Sequence, residues 1–154
     1  MALIAITSLF AIPWLHKVSQ RSALKSGARE VATTLAAARM TAVKLNQPVS
    51  VVLVNITPPI QMQVVEPAPP APTPTRVPQM LILSKNDVRM FQTPSVPSGT
   101  LSFGGDGRLQ NVPSLTPYAE MIVDGPVNAS PRNQIKIQVS QAGRVMVVTP
   151  VDWQ

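Results

Sequence analysis

The sequence has no cysteine, one histidine and seven carboxylates in 154 residues. Without cysteine, neither a disulfide framework nor a thiolate metal site can form, although an exported location remains allowed. The single histidine, His16, stands beside a long apolar run, and the carboxylates show no spacing typical of a metal site. The serines and threonines have no base near them in the sequence. We therefore predict no metal site, no cofactor and no enzymatic activity.

The one glycine-rich segment, residues 104–107 (GGDG), is a poor candidate for a ligand site. It is too short for a phosphate-binding loop and opens no helical pattern. Asp106 within it could serve as a calcium ligand, but a tight hairpin turn explains the same residues more simply. We predict a turn here.

Acidic residues are scarce in the first 48 positions, which carry a charge balance of +5, whereas the remaining 106 carry +1. Four of the basic residues, Lys17, Arg21, Lys25 and Arg29, recur every four positions and form a basic stripe on a helix. Three interpretations of the stripe are open: a solvated face, a contact with anionic lipid headgroups or acidic side chains of neighbouring subunits, and a contact with DNA.

Charge is absent altogether from residues 1–15. A secretory signal would need basic residues before this run, but Lys17 follows it. A helix of fifteen residues reaches about 22 Å, which is short of the roughly 30 Å hydrocarbon core of a membrane. The candidates for packing in a membrane or in a filament are Leu3, Ile4, Ile6, Leu9, Phe10, Ile12, Pro13 and Trp14.

The helical pattern continues beyond the apolar run. Apolar residues spaced alternately by four and three predict that one face of the helix packs on the rest of the protein. The pattern stops at Asn46, Gln47 and Pro48, because proline disfavours the helix at the residue before it. We predict one helix over residues 1–46, apolar over 1–15 and amphipathic over 16–46. Its inward-facing residues are Leu24, Ala28, Val31, Leu35, Ala38, Ala42 and Leu45.

Residues 47–154 predict a β-rich head. The strongest strand candidates are 49–55, 60–65, 135–139 and 144–148, the last two joined by a turn at 140–143. Weaker candidates are 80–83, 88–92, 101–103, 108–110 and 120–123. The proline-rich segment 66–78 is interpreted as an exposed loop or as a docking segment for an aromatic groove. The expected fold class is α+β, a long N-terminal helix packed on an antiparallel sheet or sandwich.

These patterns resemble the minor pilins and pseudopilins of the GspH/FimT type. Segments 101–108 (LSFGGDGR) and 137–145 (IQVSQAGRV) match the hairpins of that family. The family's L-x-x-A-R-x-x-A-x-x-x-N-x-x-V pattern, at the end of the helix and the start of the first strand, is matched by Leu35, Ala38, Arg39, Ala42, Asn46 and Val49.

The resemblance implies a non-catalytic subunit of a type IV pilus or a type II secretion pseudopilus. Such subunits lie in the bacterial inner membrane with the head in the periplasm, and then join a filament or its tip. The implied partners are other pilin subunits, the inner-membrane assembly platform, membrane lipid and a prepilin peptidase. The glycine, aromatic and acidic residues of the peptidase motif do not occur before the apolar run, and Pro13 matches a proline late in that family's hydrophobic segment. We expect Met1 to lie inside the mature protein.

Two alternatives remain open, a DNA-binding minor pilin and a plain membrane anchor for a periplasmic domain. In DNA-binding relatives a basic G-R-x-R stretch is thought to contact phosphates, but here Met146 replaces the second arginine. The remaining candidates are Arg132, Lys136 and Arg144, which are too few for counterion release to supply much affinity. We therefore predict that Arg144 serves a hairpin turn and that DNA is not a partner.

Overall fold

The structure, a computed structural model, describes residues 2–55, 60–67, 79–83, 89–92, 99–111, 117–124 and 134–149. Side chains are described for residues 19, 21–54, 60–67, 99–111, 117–124 and 134–149. In this part of the chain, one α-helix precedes eight β-strands, and all the strand pairs are antiparallel. The α+β prediction is confirmed.

Helix α1 extends from Ala2 to Leu45 and is continuous past Pro13 and Gly27. Its inner face contacts strands of both sheets. Leu45 lies at the last turn, where the inner face ends, and is half-buried rather than buried as the periodicity predicts. The other six predicted inward-facing residues are almost fully buried: Leu24, Ala28, Val31, Leu35, Ala38 and Ala42.

Backbone hydrogen bonds and the conformation of Asn46 end the helix, in addition to the effect of Pro48. Asn46 has a φ of 51°, a left-handed conformation that asparagine tolerates better than most residues. The Asn46 amide donates to the Val43 carbonyl and the Gln47 amide donates to the Ala42 carbonyl, both at 3.2 Å. This pair of bonds is the Schellman arrangement, which satisfies two of the last helical carbonyls. The chain then turns directly into the first strand.

The strands form two sheets among the described residues. The first sheet has the order β3-β2-β1-β5 and the second has the order β4-β6-β7-β8. The strands are β1 (Val49–Asn55), β2 (Ile60–Val65), β3 (Gln79–Leu83), β4 (Arg89–Gln92), β5 (Thr100–Phe103), β6 (Tyr118–Asp124), β7 (Gln134–Ser140) and β8 (Val145–Val148).

The two sheets and the helix share one core. Alternate residues of β2, β5, β6 and β7 are buried, as a half-buried antiparallel strand requires. In the register of β6 with β7, Met121 lies opposite Ile137 and Val123 lies opposite Ile135, so apolar side chains meet on the inner face. Leu35 and Phe103, both fully buried, belong to the same cluster.

The strand candidate at 108–110 is wrong. In this segment Leu109 makes one isolated bridge to Phe103, and the Gln110 amide donates to the Ser102 carbonyl. The next residue, Asn111, bonds to β5 through its side chain and not through its backbone. Its Oδ1 accepts from the Ser102 amide and its Nδ2 donates to the Thr100 carbonyl. A side-chain amide thus replaces the ladder that a strand would have formed. The proline-rich segment lies outside the described residues from position 68 onward.

Candidate functional site at the end of helix α1

Two tight turns of the head converge on the last turns of α1. In the first, residues 104–107, the Gly107 amide donates to the Gly104 carbonyl at 2.8 Å, and the Arg108 amide donates to Asp106 Oδ1 at 3.0 Å. The Asp106 carboxylate is therefore engaged in holding the turn, with the exposed Arg108 guanidinium 3.8 Å from its other oxygen. The predicted hairpin turn is confirmed.

The second turn, residues 140–143, joins β7 to β8. The Gly143 amide donates to the Ser140 carbonyl at 2.8 Å, and the Ser140 hydroxyl accepts from the Arg144 amide at 3.1 Å. The two turns are linked directly, because the Leu109 amide donates to the Gln141 carbonyl at 3.0 Å. A backbone hydrogen bond thus ties the hairpin of the first sheet to the hairpin of the second.

Arg39 fixes both turns to the helix. Its Nε donates to the Gly107 carbonyl at 3.1 Å in a half-buried position. Gly143 has a φ of 76°, and a Cβ atom built there would lie 2.0 Å from the Gly107 carbonyl oxygen and 2.8 Å from Arg39 Nε. Glycine is therefore required at 143 both by the backbone conformation and by the close approach. We call Arg39, Asn46 and residues 104–107 and 140–143 the helix–turn junction.

Asn46 forms a second contact between the helix and the first turn. A Cβ atom at Gly105 would lie 2.7 Å from the Asn46 carbonyl carbon, so the first turn packs directly on the residue that ends the helix. The sequence singled out Arg39 only as a match to a family pattern, and Asn46 as such a match and as the end of the helical pattern. Their contacts join residues about 60 positions apart or more in the chain, for which the local sequence contains no signal.

Beside the junction lies an open groove between α1 and the edge strand β8. It has a volume of about 520 Å³. Its floor is apolar, and Met40 is 73% exposed and Val43 is 51% exposed. The residues that line the groove are Ala36, Arg39, Met40, Val43, Lys44, Gly143, Arg144 and Val145. We call it the α1–β8 groove.

The basic stripe lies farther toward the N-terminus of α1. Arg21 and Arg29 are exposed and Lys25 is half-buried, and with Ser22 and Ser26 they line a shallow polar cleft. The side chain of Lys17 lies outside the described part of the structure, as do those of the packing candidates Leu3, Ile4, Ile6, Leu9, Phe10, Ile12, Pro13 and Trp14. Where residues are described, no helix combines the length and apolarity that crossing a membrane requires.

The structure does not bring the two described DNA candidates, Lys136 and Arg144, together. Lys136 pairs with Glu120 at 2.9 Å on the outer face of the second sheet. Arg144 is exposed at the groove, next to the start of β8. Lys136 lies opposite Val148 at the other end of β8, so Arg144 and Lys136 are separated by the length of that strand. Arg132 lies outside the described residues. One candidate thus already has a carboxylate partner, and the described two do not form a patch.

No group of three or more histidine, cysteine, aspartate or glutamate side chains that could hold a metal occurs in the described part of the chain. The described groups at the junction and the groove are exposed apolar surface, guanidinium and ammonium groups, and backbone hydrogen bonds, all of which are suited to association.

Known structures share this architecture. The type IV minor pilin FimU of Pseudomonas aeruginosa PAO1 superimposes with a TM-score of 0.62, at 18% identity over 85% of this chain and 92% of FimU. The minor pseudopilin EpsH from the Type 2 Secretion System of Vibrio cholerae superimposes with a TM-score of 0.57, at 11% identity over 82% of this chain and 97% of EpsH. No curated protein sequence matches the chain. A long helix fixed on an antiparallel head defines the class of fold, that of pilin-like proteins.

The family follows from the sequence itself. The profile of the family described as Type II transport protein GspH matches residues 27–143, which is most of the chain and includes the whole helix–turn junction. The chain therefore belongs to the GspH family, and its resemblance to minor pilins and pseudopilins of the GspH/FimT type is confirmed. The family and the structural neighbours are structural subunits and not enzymes.

Proposed function

We infer that this protein is a non-catalytic minor subunit of a type IV pilus or a type II secretion pseudopilus. The N-terminal part of α1 would anchor it in the inner membrane and later pack among the helices of neighbouring subunits, with the head on the periplasmic side. Family membership supports the class of assembly, and FimU and EpsH represent its two branches.

The observation that carries the proposal is the division of α1 into an uncharged N-terminal segment and a later segment that packs on the head. The helix begins at Ala2, and the part of it that packs on the head includes Leu24 to Ala42. The residues from Ala2 to Leu15 correspond to about 21 Å of helix. The first fifteen residues of the chain carry no charge, and such a segment is stable only when lipid or other apolar surface covers it.

The other proposed partners follow from the same arrangement. The assembly platform would extract the subunit from the membrane, and a prepilin peptidase would process it if a leader precedes the apolar run. The basic stripe of Lys17, Arg21, Lys25 and Arg29 directly follows that run, where anionic headgroups attract each basic residue by about 1 kcal/mol. In a filament the same stripe would face acidic side chains of a neighbour.

The test follows the full chain in its native host through the membrane fraction and the sheared filament fraction, with an antibody against the head. We expect the protein in both fractions. Ile6→Glu should remove it from both, because a charge is costly in lipid and among apolar helices. Thr33→Glu is the matched control, because Thr33 is exposed on the same helix.

Three outcomes would be informative. A wild-type protein absent from both fractions would refute the proposal. A protein present in the membrane fraction that never enters filaments would establish the plain anchor instead. Loss of surface pili or loss of protein secretion in a deletion strain would decide between the two kinds of machine.

A further inference from the structure

We propose that the α1–β8 groove receives an acidic amphipathic helix of a different filament subunit. The proposal rests on the proposed function, because it names the kind of neighbour that the filament would place beside this chain. It is carried by three features of the described residues: the apolar floor of the groove, the sign of the charges around it, and its position along the helix.

The floor is an apolar surface that the chain's own described residues leave exposed. Met40 and Val43 are the two large exposed apolar residues described on α1, and the half-buried Val145 lines the groove from the adjacent edge strand. Ala36 extends the floor toward the N-terminus. Met40, with its flexible side chain, adapts to partners of different shape. Apolar surface gathered on both walls of one groove is typical of an interaction site.

The charges around this floor all have one sign. Arg39, Lys44 and Arg144 are among the lining residues, and none of the described lining residues is acidic. The Arg39 Nε is already engaged with Gly107, so Lys44 and Arg144, both exposed, are the groups that a partner would meet first. Complementary charge at a rim directs both the rate and the specificity of association. The partner should therefore carry carboxylates on both sides of its apolar face.

Part of the basic stripe lies on the same side of the helix as the groove. At about 100° per residue, Lys25 and Arg29 lie on the same flank of α1 as Ala36, Met40 and Val43. A helix laid along this flank would contact apolar surface beside β8 and basic side chains nearer the N-terminus. This geometry favours a partner helix over a globular surface patch.

A second copy of this chain does not supply such a helix. Among the residues of α1 only Glu30 is acidic, whereas the helix has six basic residues. Packing two copies of this flank together would place like charges side by side. The occupant is therefore a different subunit with an acidic helix.

Anionic lipid is excluded by distance under the proposed function. Met40 lies 25 residues beyond Leu15, which corresponds to about 37 Å of helix. If residues 1–15 lie in the membrane, the groove lies well outside the reach of headgroups.

The binding test uses a synthetic amphipathic helix of about 18 residues. One peptide has leucines along one face and glutamates on both sides of it, and its control has lysines in place of the glutamates. Fluorescence anisotropy with the full chain in neutral detergent should show that the glutamate peptide binds at least about tenfold more tightly than the lysine peptide. Its binding should weaken as salt rises from about 50 to 300 mM.

Variants of the full chain test whether the glutamate peptide binds at the α1–β8 groove. Met40→Glu should lower the affinity for the glutamate peptide at least about tenfold, because it adds a like charge to the apolar floor. Ala37→Glu, an exposed position of the same helix outside the groove, is the control and should leave the affinity unchanged. The double variant Lys44→Glu with Arg144→Glu should reverse the preference in favour of the lysine peptide. Circular dichroism confirms that each variant remains folded.

The proposal is overturned if both peptides bind equally, if Met40→Glu binds as well as Ala37→Glu, or if phosphatidylglycerol vesicles displace the peptide. Sedimentation that shows dimerisation of the full chain through Met40 would assign the groove to a second copy instead. Incorporation into filaments separates this proposal from the proposed function. Normal incorporation of Met40→Glu would refute the groove alone, whereas absence of the wild-type chain from filaments would refute the proposed function and, with it, a filament subunit as the occupant of the groove.

Discussion

Replacing Gly143 by alanine should destabilise the protein more than the same change at Gly107, although both glycines have a φ of 76°. The two substitutions place alanine in the same left-handed conformation, which costs roughly 1–2 kcal/mol. They differ in what the new methyl group meets. At Gly107 it lies 2.9 Å from Cγ2 of the exposed Val43 and 3.2 Å from Nε of Arg39, which are side-chain atoms and can shift more easily than backbone.

At Gly143 the new methyl group lies 2.0 Å from the carbonyl oxygen of Gly107, which is backbone and cannot rotate away. The two turns must separate to accommodate it. That movement weakens or breaks the hydrogen bond from Arg39 to the same carbonyl. A bond of this kind contributes about 0.5–1.5 kcal/mol to stability, and its loss costs more if the carbonyl stays buried without a partner. We expect Gly143→Ala to cost about 3 kcal/mol in total and Gly107→Ala about 1–2 kcal/mol.

Urea unfolding of the full chain in neutral detergent, followed by circular dichroism, measures both values. The midpoints compare the variants directly if the slope of the unfolding free energy with urea is unchanged. Gly143→Asn provides a further control, because asparagine tolerates the left-handed conformation but introduces the same Cβ. A difference between the two alanine variants below about 0.5 kcal/mol, or recovery of stability in Gly143→Asn, would show that conformation and not contact governs this position.

Three other predictions concern the core, the junction and DNA. Leu35→Ala should cost about 2–5 kcal/mol in the same urea assay because Leu35 is fully buried, whereas Met40→Ala should change the stability by less than about 0.5 kcal/mol. Arg39→Lys removes the Nε donor and should cost about 1 kcal/mol; unchanged stability would mean that the ammonium group replaces the bond. Binding of duplex DNA should be no tighter than about 10⁻⁴ to 10⁻⁶ M at physiological salt, and Arg144→Gln should leave it within about twofold; tighter binding that Arg144→Gln weakens would contradict this.

The fold was largely predictable because its elements repeat local patterns. The spacing by three and four identified the inner face of α1 from Leu24 to Ala42, and alternation identified β2 and β7 almost to the residue. The prediction was wrong at 108–110, where the return from the turn looked like a strand in sequence. The Asn111 amide there takes hydrogen bonds that a strand would have made, and no pattern of apolar residues reports that substitution.

The junction could be identified from the sequence only as a family pattern. Arg39 and Gly107 are 68 positions apart, and neither a helical arginine nor a turn glycine is unusual by itself. What makes them a unit is the close approach of two turns from different sheets, which depends on the packing of the whole head. The groove was not predicted for a related reason: Met40 and Val43 fit an amphipathic helix as exposed residues, and their significance comes from the edge strand beside them.

The junction also fixes the orientation of the head on the helix, which apolar burial alone would not do. The inner face of α1 is made largely of small residues such as Ala28, Ala38 and Ala42, and apolar contact is not directional, so a sheet can slide or tilt on such a surface at little cost. In a filament, where the N-terminal part of α1 would be held by neighbours, a head that slid or tilted on α1 would change the shape of the α1–β8 groove, because α1 forms one wall of the groove and the head forms the other. The bond from Arg39 to Gly107 and the contact of Gly105 with Asn46 restrict both sliding and tilt at the end of the helix that lies beside the groove. Weakening the junction should therefore reduce binding at the groove even where no groove residue is changed.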